Sequence, residues 1–309
     1  MIEALGVSRA FGPKEVVSGL DLKVPGGTIH ALLGPNGAGK TTVLRMLAGL
    51  TSPTGGTVRV LDGDPVTREI RARIGWIPSG DRSFYLRLSG RENLVFFARL
   101  YGMSLRTARE RSDELLEKVD LVEAARQPAR LYSHGMQKRL VIARGLLTDP
   151  PVLIVDEATH DLDPTSAQNV RSLVTEASST GAAVVWATQR LEEIRSFAHD
   201  VTVLGRGDVR FSGGVDKLVK RALNRTYEIQ LVNGFAPLPL IESNLVGLAE
   251  LSAHPFYSDR FLLHLGSGTA LSDVFQGIER AGAKVHSCAE ARSDIEEAFL
   301  HLTAEDNDD

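Results

Sequence analysis

Eight consecutive residues, Gly34 to Thr41, have types and spacing that suit the binding of phosphate groups. They read Gly-Pro-Asn-Gly-Ala-Gly-Lys-Thr and complete the pattern G-x-x-x-x-G-K-[ST]. Glycines permit positive φ angles and a close backbone approach, so consecutive N–H groups can surround an anion. Lys40 would reach the β- and γ-phosphates, and the Thr41 hydroxyl would ligate Mg²⁺. The octet therefore predicts a site for a nucleoside triphosphate.

The residues on either side of this loop favour the same interpretation over a chance glycine turn. Thr28–Leu33 reads as a buried strand, and Thr42–Ala48 reads as a helix whose N-terminus would direct its partial positive charge at the phosphates. The predicted nucleotide-binding residues of the loop are Gly34, Pro35, Asn36, Gly37, Ala38, Gly39, Lys40, Thr41 and Thr42.

A second group of chemically capable residues follows the apolar segment 151–155, which has the composition of a strand buried on both faces. Asp156 ends this segment and suits a ligand that holds Mg²⁺ beneath the phosphates. Glu157 follows directly and is placed to accept a proton from the attacking water. The alternative is a pair of acids that cap a helix at an ordinary turn.

Between these two groups, residues 131–137 read Leu-Tyr-Ser-His-Gly-Met-Gln and precede an apolar helical pattern. Ser133 can cap that helix, and Gly135 lets the backbone approach a ligand while the first-turn N–H groups stay free. The segment therefore suits either an anion site or an ordinary helix start.

Taken together, the three motifs resemble those of the nucleotide-binding subunits of ABC transporters. Ser133 and Gly135 match the Leu-Ser-Gly-Gly-Gln type of signature, whereas Tyr132, His134 and Met136 depart from it. The resemblance covers about residues 2–218. It implies a signature that binds the γ-phosphate of a nucleotide held by a second subunit, and therefore a homo- or heterodimer around two ATP molecules.

The same resemblance assigns two minor elements. Phe11 takes the position of the aromatic that stacks on adenine, although a core aromatic is the alternative. Asp163 matches the dimer-contacting loop of the family, where Asp161 replaces the usual glycine.

Two departures from the family pattern concern catalysis. Ser79 stands where the family has a glutamine that contacts Mg²⁺ and the attacking water, and its short side chain would need a bridging water. Gln189 replaces a histidine that hydrogen-bonds the γ-phosphate, and it cannot carry a positive charge. Asp81 either substitutes for the missing glutamine or is a solvated loop acid. We therefore predict an ATPase that binds normally and hydrolyses slowly.

The resemblance implies an α/β fold of the P-loop NTPase ABC cassette type, with a mixed sheet core, an antiparallel β subdomain and a helical subdomain at about residues 88–147. We expect residues 1–219 to form this cassette and residues 220–309 to form a small accessory α+β domain. In that second part, the patterns predict strands at 227–231 and 261–265, a helix at 271–281 and a final helix from Asp294.

The expected function is an ATP-binding and hydrolysing subunit that powers a separate membrane permease of an exporter. The alternative is a slow or regulatory subunit paired with an active ATPase; a soluble factor acting on nucleic acid is disfavoured by the net charge of −4. The apolar runs are too short to span a bilayer, no secretory signal is visible and Cys288 is the single cysteine. We expect a peripheral location on the cytoplasmic face of the cell membrane, through the permease.

Overall fold

The computed structural model of the 309-residue chain describes residues 1–80, 84–160, 162–218, 226–232, 237–253, 260–266 and 269–290. Contacts divide the chain into two compact units, Met1–Val215 and Asp216–Asp309. Three features named above, Asp81, Asp161 and the helix expected from Asp294, lie outside the described residues.

A six-stranded sheet forms the centre of the first unit, in the order β5-β6-β7-β3-β8-β9. Neighbouring strands are parallel except the pair β8 and β9. The central strands are buried along their whole length, which explains their continuous apolar sequences. The strands are β3 (Ile29–Leu33), β5 (Ile74–Ile77), β6 (Val152–Asp156), β7 (Ala183–Thr188), β8 (Asp200–Gly205) and β9 (Asp208–Gly214).

A second, three-stranded antiparallel sheet in the order β2-β1-β4 also belongs to the first unit. It consists of β1 (Ile2–Phe11), β2 (Lys14–Val24) and β4 (Gly55–Val60). The helix after the phosphate loop, α1 (Lys40–Leu47), contributes Val43, Leu44 and Leu47 to a core shared with both sheets. Burial of each leucine side chain is worth about 2 kcal/mol, so this core fixes the loop between the sheets.

Helices occupy most of residues 90–145. The first of them, α3, begins with a capping box in which Ser89 and Glu92 satisfy each other's backbone N–H groups. Besides α1, the described helices of the first unit are α2 (Arg68–Arg71), α3 (Gly90–Leu100), α4 (Leu105–Lys118), α5 (His134–Gly145), α6 (Pro164–Ser179) and α7 (Leu191–Ile194), with a 3₁₀ turn at Ala129–Leu131.

The described part of the second unit contains a four-stranded antiparallel sheet in the order β11-β12-β10-β13, together with helices at Leu238–Leu245 and Leu271–Arg280. Its apolar core includes Ile229, Leu263 and Ile278, one from each of three elements. The elements are β10 (Thr226–Leu231), α8 (Leu238–Leu245), β11 (Ala249–Ala253), β12 (Arg260–Leu265), α9 (Leu271–Arg280) and β13 (Val285–Glu290).

The predicted fold class is confirmed: a mixed sheet, an antiparallel sheet, a helical region and a further antiparallel sheet with helices are all present. The strand and helix around the phosphate loop lie within two residues of their predicted bounds. Sequence patterns did not predict α8, β11 and β13, whose short and mixed compositions carry little periodicity.

Candidate functional site

The phosphate loop adopts a backbone that demands glycine at two points. Gly39 has a φ of 98°, and a Cβ there would lie 2.6 Å from the carbonyl oxygen of Val16. A Cβ on Gly34 would lie 2.6 Å from the carbonyl oxygen of Leu204. Neither Cβ could be accommodated without movement of the backbone. Close packing therefore requires glycine at both positions, and the positive φ requires it at Gly39 as well.

Lys40 begins α1, and its side chain folds back onto the phosphate loop. Its Nζ donates hydrogen bonds to the carbonyl oxygens of Gly34 at 2.6 Å and Pro35 at 3.1 Å, and lies 3.5 Å from Oε1 of Glu157. Only 5% of Lys40 is exposed, and burial lowers its pKa, which Glu157 partly opposes. A phosphate bound in the loop would place negative charge beside the Lys40 ammonium group and would favour its charged form.

Thr41 and Asp156 meet beneath the loop. The Thr41 hydroxyl donates to Oδ2 of Asp156 at 3.0 Å. Among the described residues, the other carboxylate oxygen, Oδ1, is buried without a hydrogen-bond partner. Burial raises the pKa of Asp156, and the hydrogen bond from Thr41 opposes that rise. A hydroxyl beside a buried carboxylate with a free oxygen fits the ligands that Mg²⁺ prefers.

Glu157 has an unusual backbone for its residue type. Its φ is 47°, and its N–H donates to the carbonyl oxygen of Ala187 at 3.0 Å. A left-handed conformation costs a non-glycine residue roughly 1–2 kcal/mol, so the neighbouring strand must hold it in place. The result directs the Glu157 carboxylate toward Lys40 and the phosphate side of the site.

Gln189 follows directly after β7 and is placed by a hydrogen-bonded turn. The Thr188 hydroxyl donates to Oε2 of Glu193 and accepts from the N–H of Arg190 at 3.1 Å. Burial raises the pKa of Glu193. Gln189 and Glu157 line the same small cavity, so the structure brings these two predicted residues together.

Ser79 lies just after β5 and is exposed. Its side chain acts on the Asp156 carboxyl group and lowers the pKa of that group, although the Oδ1 atom is buried without a hydrogen-bond partner among the described residues.

The signature segment starts α5 in an exposed position. The Ser133 hydroxyl accepts from the N–H of Met136 at 3.2 Å, which is an N-cap. A Cβ on Gly135 would lie 3.5 Å from Leu162, an ordinary contact, so the packing of this chain does not require glycine there. Ser133 bonds to residues 136 and 137, and Gly135 lies near Leu162, so these contacts do not involve the phosphate loop of the same chain.

The departure at Tyr132 has a structural reason. Its side chain is buried, and its hydroxyl donates to the carbonyl oxygen of Ala124 at 2.7 Å. The ring fills the space beside Gly90, where a Cβ would lie 2.1 Å from the hydroxyl oxygen. Tyr132 therefore joins the start of α5 to the start of α3.

Phe11 ends β1 and is 51% exposed, so the alternative that it is a core aromatic is wrong. The guanidinium of Arg9 lies 4.6 Å from its ring centroid. An exposed ring can still stack on a flat ligand, and this role stays a prediction. The remaining loop residues differ in access: Asn36 and Gly37 are exposed, Pro35 and Thr42 are half-buried and Ala38 is buried.

Sequence reasoning missed two groups that hold this site. Lys138 is buried on α5, and its Nζ donates to the carbonyl oxygen of His160. Glu193 holds the Thr188 hydroxyl beside Gln189. A lysine five residues into a helix and a glutamate in a short acidic turn resemble solvated side chains, so neither carried a signal.

The fold and the loop geometry define a nucleotide-binding domain of the P-loop class. The ABC transporter family matches residues 17–160. The chain is 37% identical to the daunorubicin resistance ATP-binding protein DrrA3 of Streptomyces coeruleorubidus, over 97% of this chain and 95% of that protein. It is 32% identical to the Nod factor export ATP-binding protein I of Paraburkholderia xenovorans, over 100% of this chain and 98% of that protein.

A solved dimeric structure of a bacterial ABC transporter cassette superposes with a TM-score of 0.64 at 25% identity, over 70% of this chain and 99% of that one. The chain belongs to the ABC transporter ATP-binding family. It is an ATP-binding subunit of an ABC exporter, an ATPase that energises transport, and cassettes of this family dimerise. Within the described residues, no helix is long and apolar enough to cross a membrane.

Proposed function

We propose that this chain pairs with a second ATP-binding subunit and drives a separate membrane permease that exports hydrophobic drugs. The observation that carries the pairing is the exposed position of Ser133 at the start of α5, in a sequence that contains one phosphate loop. The cargo class is supported by the name of the daunorubicin resistance relative.

Each ATP site of this pair of subunits would use the residues described above. Lys40 and the loop N–H groups hold the phosphates, Thr41 and Asp156 hold Mg²⁺, and Phe11 stacks on adenine. Mg²⁺ supplies charge neutralisation of the phosphates. Glu157 accepts the proton of the attacking water, and its proximity to Lys40 supports that role.

We further propose that hydrolysis is slow because of Ser79 and Gln189. Ser79 is exposed and leaves Oδ1 of Asp156 without a partner, and Gln189 is neutral where a cation would stabilise the transition state. In other enzymes, the loss of one contact to the transition state reduces turnover by about 10²-fold. The same two residues support a second candidate, a regulatory subunit that binds ATP beside an active partner.

Steady-state ATP hydrolysis by the purified chain separates the two candidates. Activity that disappears in Lys40→Ala and rises about tenfold or more in Gln189→His establishes a detuned ATPase. Gln168→His, an exposed position on α6, is the matched control for adding an imidazole. Bound ATP without turnover in every variant would favour the regulatory subunit.

Pairing has its own test. Glu157→Gln should trap an ATP-bound dimer because the nucleotide stays intact between the subunits. Light scattering with saturating Mg-ATP measures this, and a monomer under those conditions contradicts the homodimer form of the proposal. Addition of a paralogous subunit then tests the heterodimer.

The permease partner and the location at the cytoplasmic face of the membrane are supported by apolar side chains exposed on and beside α3. They are Tyr85, Leu86, Phe96, Leu100, Tyr101 and Leu105. Leu100→Glu should release the chain from membranes that contain the permease, as judged by sedimentation. Leu50→Glu, at an exposed leucine outside this group, is the matched control.

A further inference from the structure

A cavity of about 10 Å³ lies beside the proposed general base, and three potential participants in hydrolysis line it: Glu157, His160 and Gln189. Its volume is close to that of the space that one water molecule requires. Glu157 and His160 lie in the loop after β6, and Gln189 lies in the loop after β7. The imidazole-bearing residue thus shares a water-sized space with the carboxylate expected to activate water.

The backbone of His160 is held from both sides. Its N–H donates to the carbonyl oxygen of Glu157 at 3.3 Å, and its carbonyl oxygen accepts from Nζ of the buried Lys138 on α5. These bonds join His160 to the base in its own loop and to the helix that begins with the signature segment. The backbone that carries the ring is therefore fixed beside the cavity, and a fixed attachment point favours a group that must stabilise charge.

The charges around this position leave a role for a cation. Glu157 and Glu193 line the cavity with carboxylates, while Arg190 is exposed and Gln189 is neutral. Burial raises the pKa of Glu193, and the positive charges of Arg171 and Arg190 oppose this rise. Histidine is the side chain that most readily supplies and withdraws a positive charge near neutral pH. No other described residue of this cavity can do so.

We propose that His160 is a catalytic residue that supplies, from the neighbouring loop, part of the positive charge missing at Gln189, so that hydrolysis is slowed and not abolished. This inference rests on the proposed function of Glu157 as the general base. The water oxygen forms a bond to the γ-phosphorus, and its proton passes to Glu157. The bond from the γ-phosphorus to the bridging oxygen breaks, and ADP leaves with the electron pair. The imidazolium of His160 donates a hydrogen bond to a γ-phosphoryl oxygen and keeps its proton throughout.

The kinetic test compares His160→Gln, His160→Lys and Arg190→Gln. His160→Gln should lower kcat about 10- to 100-fold with a smaller effect on the KM for ATP, because the contact strengthens in the transition state. His160→Lys, which keeps a positive charge at this position, should retain more of the wild-type kcat than His160→Gln does. Arg190→Gln, which removes the exposed cation of the same cavity, should lower kcat far less than His160→Gln does.

A swap tests the division of roles directly. Gln189→His in the His160→Gln background should recover most of the lost kcat, because the imidazole returns to the same cavity from the neighbouring loop. If His160→Gln keeps the wild-type kcat, or if Arg190→Gln lowers kcat as far as His160→Gln does, the proposal is overturned.

A binding readout separates this proposal from that for the whole site. In Glu157→Gln protein, the ring-proton resonances of His160, assigned by comparison with Glu157→Gln/His160→Gln, should move when ATP is added and move much less when ADP is added. Equal movements with the two nucleotides refute the contact with the γ-phosphate. By contrast, ATP binding that survives Lys40→Ala would refute the proposed phosphate site and leave His160 to be judged by these resonances.

Discussion

His30 makes the stability of the first unit depend on pH in a way that can be calculated. It lies on β3 with 5% of its surface exposed, and its Nε2 is 2.9 Å from the hydroxyl of Thr202. Burial lowers the pKa of His30 from the ordinary 6.5 to about 4, although Asp200 opposes the shift. The folded protein therefore binds this proton less well than the unfolded chain does.

The sign of the effect follows from this difference. Well above pH 6.5 the imidazole is neutral in both the folded and the unfolded state, so its protonation takes nothing from the free energy of unfolding. As pH falls from 6.5 toward 4, protons bind the unfolded chain and the free energy of unfolding decreases. The full difference is worth about 3 kcal/mol, and the part between pH 7 and pH 5 is worth about 2 kcal/mol.

The assay is urea unfolding of wild type and His30→Gln at pH 7 and pH 5. Tryptophan fluorescence reports on the first unit, because both tryptophans of the chain, Trp76 and Trp186, lie in it. Glutamine can still hydrogen-bond Thr202 but does not titrate, so the variant should lose about 2 kcal/mol less than wild type on acidification.

His286→Gln, at an exposed histidine of the second unit, controls for the removal of one imidazole from the chain. Equal losses of stability in wild type and His30→Gln between pH 7 and pH 5 would refute the reasoning. They would mean that the strand admits a charged imidazole without penalty.

Three further changes test packing and charge in the cassette. Gly90→Ala should destabilise by about 2 kcal/mol because its methyl group meets the Tyr132 hydroxyl, and Tyr132→Leu should relieve much of that loss in urea unfolding of the double variant. Gly39→Ala should weaken both folding and ATP binding, seen by calorimetry, because the methyl group would meet the carbonyl oxygen of Val16. Asp156→Asn should raise the melting temperature of the nucleotide-free protein, because the substitution removes a buried charge. It should also reduce the further rise in melting temperature on adding Mg-ATP. A nucleotide-free Asp156→Asn protein that melts at a lower temperature than wild type contradicts this account.

Local chemistry made much of the site predictable. A glycine-rich loop between a strand and a helix leaves few conformations, and its spacing alone indicated where Lys40 and Thr41 would lie. Asp156 could be placed because it ends an apolar strand, and Gln189 because it directly follows one; parallel strands bring such ends to one edge of a sheet.

The rest depends on contacts between distant segments. The match of Tyr132 with Gly90, and of Lys138 with the carbonyl of His160, joins residues whose spacing carries no periodicity. The positive φ of Glu157 is imposed by a bond to Ala187 on the next strand, which the local sequence does not indicate. Sequence patterns therefore located the motifs, whereas tertiary packing decided how their side chains are held.

The order of strands in the central sheet determines when this site can first exist during synthesis. β3, which carries the phosphate loop, pairs with β7 and β8, and Ile29 meets Val184 from more than 150 residues later in the chain. At about 5–20 residues per second, the ribosome needs roughly 8–30 s to make that intervening length. The loop sequence is thus among the first parts to emerge, yet its supporting strand waits for almost the whole cassette. ATP can stabilise the finished fold, but its site forms too late for ATP binding to guide the early steps of folding.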